Sequence, residues 1–147
     1  MSHSSTDTEA RIVELSARLD SIVAAWEQSI ATQRASSPPT AAAGRRTSAD
    51  VLSELEHELR ELEVHSDEHR RIADAEIAKA EDWERTAMLS IRDGRDDLAK
   101  QALQRQQEFH ASAQAAANEA AAIDSVRAAY RHAVLAVRAT LSDSPAR

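Results

Sequence analysis

Large apolar residues recur every three or four positions in the first part of the chain, and this spacing predicts an amphipathic helix over residues 6–34. Thr6 and Glu9 form a capping box at its start. The apolar face, expected to meet a partner or a membrane, consists of Ile12, Leu15, Leu19, Ile22, Trp26 and Ile30. The opposite face mixes both signs of charge without the Lys/Arg excess of membrane-surface helices, which favours packing against another helix.

The pattern breaks over residues 35–47, which contain Pro38, Pro39 and Gly44. The two prolines make the first part stiff and extended, and the glycine leaves the second part free, so this segment is predicted to be a linker. The linker is long enough for the first helix to fold back on its own chain or to reach a neighbouring molecule. The sequence leaves both alternatives open.

Apolar spacing resumes over residues 48–92 and predicts a second helix, with Thr47 or Ser48 as its N-cap. We call the row of side chains through which a helix packs on another helix the seam of that helix. The seam of the second helix combines seven-residue and eleven-residue repeats. The predicted seam consists of Leu52, Leu55, Leu59, Leu62, Ser66, His69, Ala73, Ile77, Ala80, Trp83 or Glu84, Ala87 and Ile91.

Residues 95–142 carry a sustained coiled-coil heptad and predict a third helix, followed by a tail over residues 143–147. The residues seven apart are Phe109, Ala116, Ile123, Tyr130 and Val137, flanked by Ala102, Ala113, Ala120, Val134 and Leu141. Eight of the twelve residues over 111–122 are alanine, so the seam is thin there. We expect residues 12–19 of the first helix to reach about this level and complete a three-helix body.

A tight reversal at residues 93–95 separates the second and third helices. Gly94 sits where the ending helix needs a residue with positive φ. Asp96 and Asp97 follow in the first turn of the next helix, where negative charge is favourable. The sequence therefore predicts an all-α fold, in which residues 48–142 form a long antiparallel coiled-coil helical hairpin with an additional N-terminal amphipathic helix.

The stretch around the reversal combines a Trp-containing helix end, a Gly-Arg-acid-Asp-Leu-Ala-base turn and an Ala-Leu pair. These features comprise Trp83, Ala87, Leu89, Ile91, Gly94, Arg95, Asp96, Asp97, Leu98, Ala99, Lys100, Ala102 and Leu103. The combination resembles the hairpin tip of the phage shock protein A family. That family and the related vesicle-inducing protein in plastids form a bacterial and plastid branch of the ESCRT-III superfamily. Ser90 departs from the family's usual alanine.

Members of that family build rods, rings and helical polymers that bind, protect or remodel membranes under envelope stress. The resemblance covers the hairpin region only. It implies a non-enzymatic scaffold in membrane-stress response that self-associates or docks on polymer-forming relatives. Such a protein would be cytoplasmic, with peripheral contact at the inner membrane. The alternative is a soluble coiled-coil adaptor or regulatory protein that binds a protein partner without membrane activity.

Composition and charge limit the classes of partner that this protein is expected to bind. The net charge of −7 disfavours nucleic acid, and the absence of cysteine excludes thiol chemistry and fits a cytoplasmic protein. No apolar run approaches the ~18 residues of a membrane span. Residues 48–94 carry six Lys/Arg against fourteen Asp/Glu, whereas residues 95–147 carry seven against six. The acidic arm is a candidate surface for a basic partner, although a solvated charged face is the simpler interpretation.

Candidate chemistry is sparse. His57, His65 and His69 share one helical ridge, which suits a metal site or a proton-sensing patch, but a solvated face is favoured and we predict no metal. Trp83 is expected to pack across the turn near Leu103. The sequence has neither an activated nucleophile nor a glycine-rich phosphate loop, so we predict no cofactor and no enzymatic activity.

Overall fold

The computed structural model describes residues 3–35 and 47–143. Within these ranges the chain consists of three α-helices and the short segments that precede and join them. The helices are α1 (His3–Ala35), α2 (Ser48–Arg92) and α3 (Asp96–Asp143). This architecture confirms the predicted all-α fold with a helical hairpin. The predicted linker at 35–47 and the predicted tail at 143–147 lie mostly outside the described residues.

The start of α1 differs from the prediction. The helix begins at His3, so Thr6 lies inside it and the proposed capping box does not form the N-terminus. A threonine inside a helix costs at most about 0.7 kcal/mol relative to alanine. The helix can therefore extend from Thr6 towards the N-terminus, as far as His3, at little cost in free energy.

The start of α2 is a reciprocal cap. The Thr47 N–H donates to Asp50 Oδ2 (3.2 Å), and the Asp50 N–H donates to Thr47 Oγ1 (3.1 Å). The Val51 N–H donates to the Thr47 carbonyl oxygen at 3.1 Å. These bonds satisfy amide groups that the first helical turn leaves unpaired. Of the two predicted caps, Thr47 is the one the chain uses.

The reversal between α2 and α3 is built from backbone hydrogen bonds. Gly94 has φ of +72°, the left-handed conformation that the sequence predicted. The Arg95 N–H donates to the Ser90 carbonyl (2.8 Å), and the Gly94 N–H donates to the Ile91 carbonyl (3.1 Å). This pair of bonds is a Schellman motif. The Ala99 N–H then donates to the Arg95 carbonyl (3.0 Å), so one residue closes the reversal and caps α3.

One compact unit contains all of α1 with one segment each of α2 and α3. We call it the three-helix unit; its described residues are 3–35, 47–63 and 123–143. Large apolar side chains fill its core. The buried members are Leu15, Leu19, Ile22, Trp26, Val51, Leu55, Leu62, Ile123, Val126, Tyr130, Val134 and Val137.

Tyr130 is the largest fully buried side chain in this core. Its hydroxyl donates to the Leu15 carbonyl oxygen at 3.1 Å, which joins α3 to the backbone of α1. Burial raises the pKa of Tyr130 to about 12, and the charge of Glu58 acts in the same direction. The phenol is therefore held in its neutral, donating form.

The second compact unit, which we call the two-helix unit, comprises residues 64–122. Its two helical segments are antiparallel, since His69 meets Glu119 and Lys79 Nζ lies 5.5 Å from the ring centroid of Phe109. Its buried side chains are small. They are Ser66, Ala73, Ala80, Ala87, Ser90, Ala99, Ala102, Ala113, Ala116 and Ala120.

The predicted seam of α2 needs correction in both units. Ile77 and Ile91 were placed in the seam, but both are exposed. Ser66, Ala73, Ala80 and Ala87 fall seven apart and are buried, which leaves the two isoleucines beside the seam. In the three-helix unit Val51 and Glu58 are buried, whereas Leu52 and Leu59 are only partly buried. Leu141, predicted to flank the seam of α3, is also exposed.

The level at which α1 packs is also corrected. Residues 12–19 were expected near the alanine-rich segment 111–122, which belongs to the two-helix unit. Instead, Leu15 contacts Tyr130, and Arg18 pairs with Glu54 and Glu58 within the three-helix unit. The larger side chains at these positions of α2 and α3 offer more apolar area to bury than alanine does.

Candidate interaction surface at the hairpin tip

The residues around the reversal form what we call the tip, residues 83–103. The predicted tip residues divide by exposure. Ala87, Ala99 and Ala102 are buried and Trp83 is half-buried, so these four anchor the tip to the seam. The remaining predicted members are exposed. They are Leu89, Ile91, Gly94, Arg95, Asp96, Asp97, Leu98, Lys100 and Leu103.

Large apolar side chains are exposed at the tip. Five of them have exposed fractions between 41% and 65%, out of eleven such residues in the described part of the chain. The five are Met88, Leu89, Ile91, Leu98 and Leu103. A concentration of exposed apolar side chains within sixteen residues is typical of a binding surface rather than of scattered surface variation.

The charged side chains of the turn have no partner within the described chain. Arg92, Asp93, Arg95, Asp96 and Asp97 are all exposed, and in the described residues none of their side chains makes an ion pair or hydrogen bond. The neighbouring helical turns differ. There, Arg85 pairs with Asp82, which raises the arginine pKa, and Arg105 pairs with Glu108 at 3.2 Å.

The apolar face of α1 is occupied by the protein itself. Leu15, Leu19, Ile22 and Trp26 are buried in the core of the three-helix unit, and Ile12 and Ile30 pack against that core. The Trp26 Nε1–H group donates to Ser48 Oγ at 3.2 Å. Of the alternatives left open by the sequence, which were lipid, a neighbour and its own hairpin, the structure has α1 packed on its own hairpin.

Four of the acidic residues of α2 in the three-helix unit are paired with arginines. Arg18 of α1 contacts Glu58 at 3.0 Å and Glu54 at 3.7 Å. From α3, Arg138 pairs with Glu56 at 2.6 Å, and Glu63 lies 3.4 Å from Arg127 and 3.5 Å from Arg131. These carboxylates already have arginine partners within the protein, so they offer less to a basic partner than the sequence suggested.

The three histidines of the predicted ridge do not converge. His69 Nδ1 lies 3.0 Å from Glu119 Oε2, across the two-helix unit. His65 lies 4.0 Å from Glu68 on its own helix, and His57 is exposed. The described residues contain no group of three or more His, Cys, Asp or Glu able to hold a metal ion.

Two shallow depressions lie on the part of the surface that the structure describes. One depression is lined by Gln101, Gln104, Arg105 and Glu108, and another by Arg18, Ser21, Ile22, Ala25 and Glu54. Neither resembles the deep, largely apolar pocket typical of small-molecule sites. Across residues 3–35 and 47–143, no helix combines the length and the apolar character needed to cross a bilayer.

The sequence prediction included Ile91, Leu98 and Leu103 in the tip but omitted Met88 as a site residue. The seven-residue spacing of Ala73, Ala80 and Ala87 is one of several rows that could form the seam, and only if that row is chosen does Met88 fall outside it. No protein-family model, curated protein or solved structure matches this chain.

Proposed function

We propose that this protein is a non-enzymatic coiled-coil interaction protein that binds a protein partner through its tip. The exposure of Met88, Leu89, Ile91, Leu98 and Leu103 is the observation that carries this proposal. Hydrating these side chains costs free energy that a partner would recover by burying them. The hairpin presents these side chains at its reversal.

The distribution of exposed apolar side chains favours the tip over the other surfaces as the place where a partner binds. In the three-helix unit α1 covers the apolar faces of α2 and α3, and arginines pair with Glu54, Glu56, Glu58 and Glu63 of α2. In the two-helix unit the seam is filled with alanine. The tip combines adjacent apolar side chains with unpaired charges, which is the composition of a protein interface.

A more specific candidate is a phage-shock-protein-A-like scaffold that acts in membrane stress. The tip sequence supports it, since Gly94, Arg95 and Asp97 stand where that family's turn has the same residues. Such a protein would self-associate or dock on polymer-forming relatives, with peripheral contact at a membrane. The packing of Ile22 and Trp26 in the three-helix unit disfavours lipid insertion by α1, because the helix would have to leave its core.

Site-specific photo-crosslinking in the native host tests the proposed binding surface. A photoreactive amino acid replaces Ile91 in one variant and Met88 in another, and a matched control carries it at Leu135, which is equally exposed but lies in the three-helix unit. We expect covalent adducts from both tip positions and none from Leu135. Adducts from Leu135 alone, or from no position, would refute binding at the tip.

Co-sedimentation with anionic vesicles separates the two candidates. Substituting Ile22 or Trp26 with glutamate would unfold the three-helix unit, so the informative variants are Ile91→Glu at the tip and Val13→Glu on the exposed side of α1. A membrane scaffold pellets with vesicles, and one of these variants weakens the pelleting. If wild-type protein stays in the supernatant, the membrane version is wrong and the protein-binding version stands.

A further inference from the structure

We infer that the partner bound at the tip is the tip of a second copy of this chain, in a contact with two-fold symmetry. This inference rests on the proposed function, because it names the occupant of the same surface. A two-fold contact is made by one patch meeting itself, so the patch must be complementary to its own copy. The charges and the apolar side chains of the tip meet that condition.

The charges of the turn are of both signs. Over residues 92–97 the chain carries Arg92 and Arg95 together with Asp93, Asp96 and Asp97. None of these side chains has an ion pair or hydrogen bond within the described residues. When two such turns meet, the arginines of one copy can face the aspartates of the other, in both directions at once.

Other occupants fit these charges less well. A uniformly basic partner would leave Arg92 and Arg95 facing like charge, and an acidic partner would do the same to the three aspartates. A hydrocarbon surface would strip water from all five charges without pairing any of them. The second copy supplies both signs, with two arginines and three aspartates in each turn, together with the same exposed apolar side chains.

The turn is open to such an approach. Residues 91–98 are all exposed, and a methyl group built on Gly94 would meet no atom within 4 Å. The apolar side chains lie on both sides of the turn, with Met88, Leu89 and Ile91 on α2 and Leu98 and Leu103 on α3. Both helix ends can therefore contribute to one contact.

The size of the tip surface determines how tightly two copies are expected to bind each other. A standard stable interface uses about 20 to 30 residues and roughly 800 Å² per partner. The tip offers five exposed large apolar side chains, and residues 92–97 add five charged ones. The pair is therefore expected to form in the micromolar range or more weakly, and its formation should depend on ionic strength.

Sedimentation equilibrium of the full chain tests the inference by charge reversal. One variant carries Arg92→Asp and Arg95→Asp, and the other carries Asp96→Arg and Asp97→Arg. We expect wild-type protein to be in monomer–dimer equilibrium, each variant alone to shift at least tenfold towards monomer, and their equimolar mixture to recover dimer. The matched control, Arg60→Asp with Arg71→Asp, changes two exposed arginines away from the tip and should dimerise like wild type.

The variant Ile91→Glu tests the tip–tip contact in a second way, because it disrupts the apolar surface and leaves the charges of the turn unchanged. Circular dichroism verifies that each variant is as helical as wild type. Loss of dimer in Ile91→Glu supports the inference. A wild-type chain that remains monomeric up to several hundred micromolar overturns it, as does a dimer that persists in Ile91→Glu and in both charge-reversal variants.

The crosslinking experiment distinguishes failure of this inference from failure of the proposed function. An adduct from Ile91 or Met88 with twice the mass of the chain supports pairing of two copies. Adducts only with a different protein, alongside a monomeric purified chain, overturn the inference and leave the proposed function intact. A monomeric chain without tip adducts overturns both.

Discussion

In the three-helix unit α2 and α3 bury leucine, isoleucine, valine and tyrosine, whereas in the two-helix unit the same helices bury mainly alanine and serine. The difference follows the number of helices. Three helices enclose a core with room for large side chains, but two helices touch along one narrow seam. Alanine allows the two backbones to approach closely, so the larger apolar residues of this segment end up outside.

In one unit the large apolar side chains mainly stabilise the fold, whereas in the other unit several of them are exposed. The three-helix unit uses most of its large apolar side chains and several of its arginines internally, in contacts such as Tyr130 with Leu15 and Arg18 with Glu58. The two-helix unit leaves Met88, Leu89 and Ile91 exposed. The same type of residue therefore stabilises the fold in one unit and is available to a partner in the other.

The largest expected effect comes from matched leucine truncations in the two units. Leu55→Ala removes a fully buried side chain of the three-helix unit and should lower the free energy of unfolding by about 2–5 kcal/mol. Leu89→Ala removes the same atoms from an exposed position of the two-helix unit, with an effect within about 0.5 kcal/mol. Urea denaturation measures both; equal costs would contradict the contrast between the units.

Overpacking tests the narrow seam of the two-helix unit. Ala80 is fully buried, so Ala80→Leu should destabilise this unit by about 1–3 kcal/mol. Ala78→Leu is the control, since Ala78 is exposed on the same helix and the two residue types have similar helix propensity. Hydrogen exchange of residues 64–122 provides the measurement. Slower exchange in Ala80→Leu would indicate that the seam has unfilled space.

The buried phenol of the three-helix unit predicts alkaline sensitivity. Tyrosine has a pKa of about 10 in the unfolded chain, whereas the pKa of Tyr130 in the fold is about 12. Because the folded-state pKa is the higher one, the neutral phenol contributes its full stabilisation to the fold below pH 10. This stabilisation is lost as the pH rises through 12. The loss should be on the order of 2 kcal/mol.

Tyr130→Phe separates this titration from other alkaline effects. The variant should be less stable at neutral pH because the hydrogen bond to Leu15 is missing. Its stability should also fall less steeply above pH 10 than that of wild type. Parallel curves in denaturant titrations at several pH values would show that the phenol does not carry the effect.

The smallest effect concerns the turn of the two-helix unit. Gly94→Ala should cost about 1 kcal/mol because φ of +72° is unfavourable for a residue with a Cβ, although the added methyl group would contact nothing. Gly94→Asn should cost less, since asparagine tolerates this conformation better. Thermal unfolding of the two variants measures the difference. Equal midpoints for wild type and Gly94→Ala would show that the turn adopts another conformation.

The tip residues were predictable in identity but not in exposure. The residues around Gly94 carry a local signal, since a glycine that ends one helix and acidic residues that begin the next act within one or two turns. The exposure of Ile91 and Ile77 was not predictable in this way. An alanine-rich helix offers several rows of residues that could face a partner, and alanine fits both inside and outside a core.

The sequence by itself determined the all-α class, the approximate bounds of three helices and the reversal at Gly94. These features depend on periodicity, caps and backbone preference within a few residues. Only the tertiary structure decided that Ala73 and Ala80 rather than Ile77 form the seam, that Arg18 meets Glu58, and at which level α1 packs. Those outcomes depend on side chains thirty or more residues apart in the chain, so a local pattern offers several possible rows without selecting one.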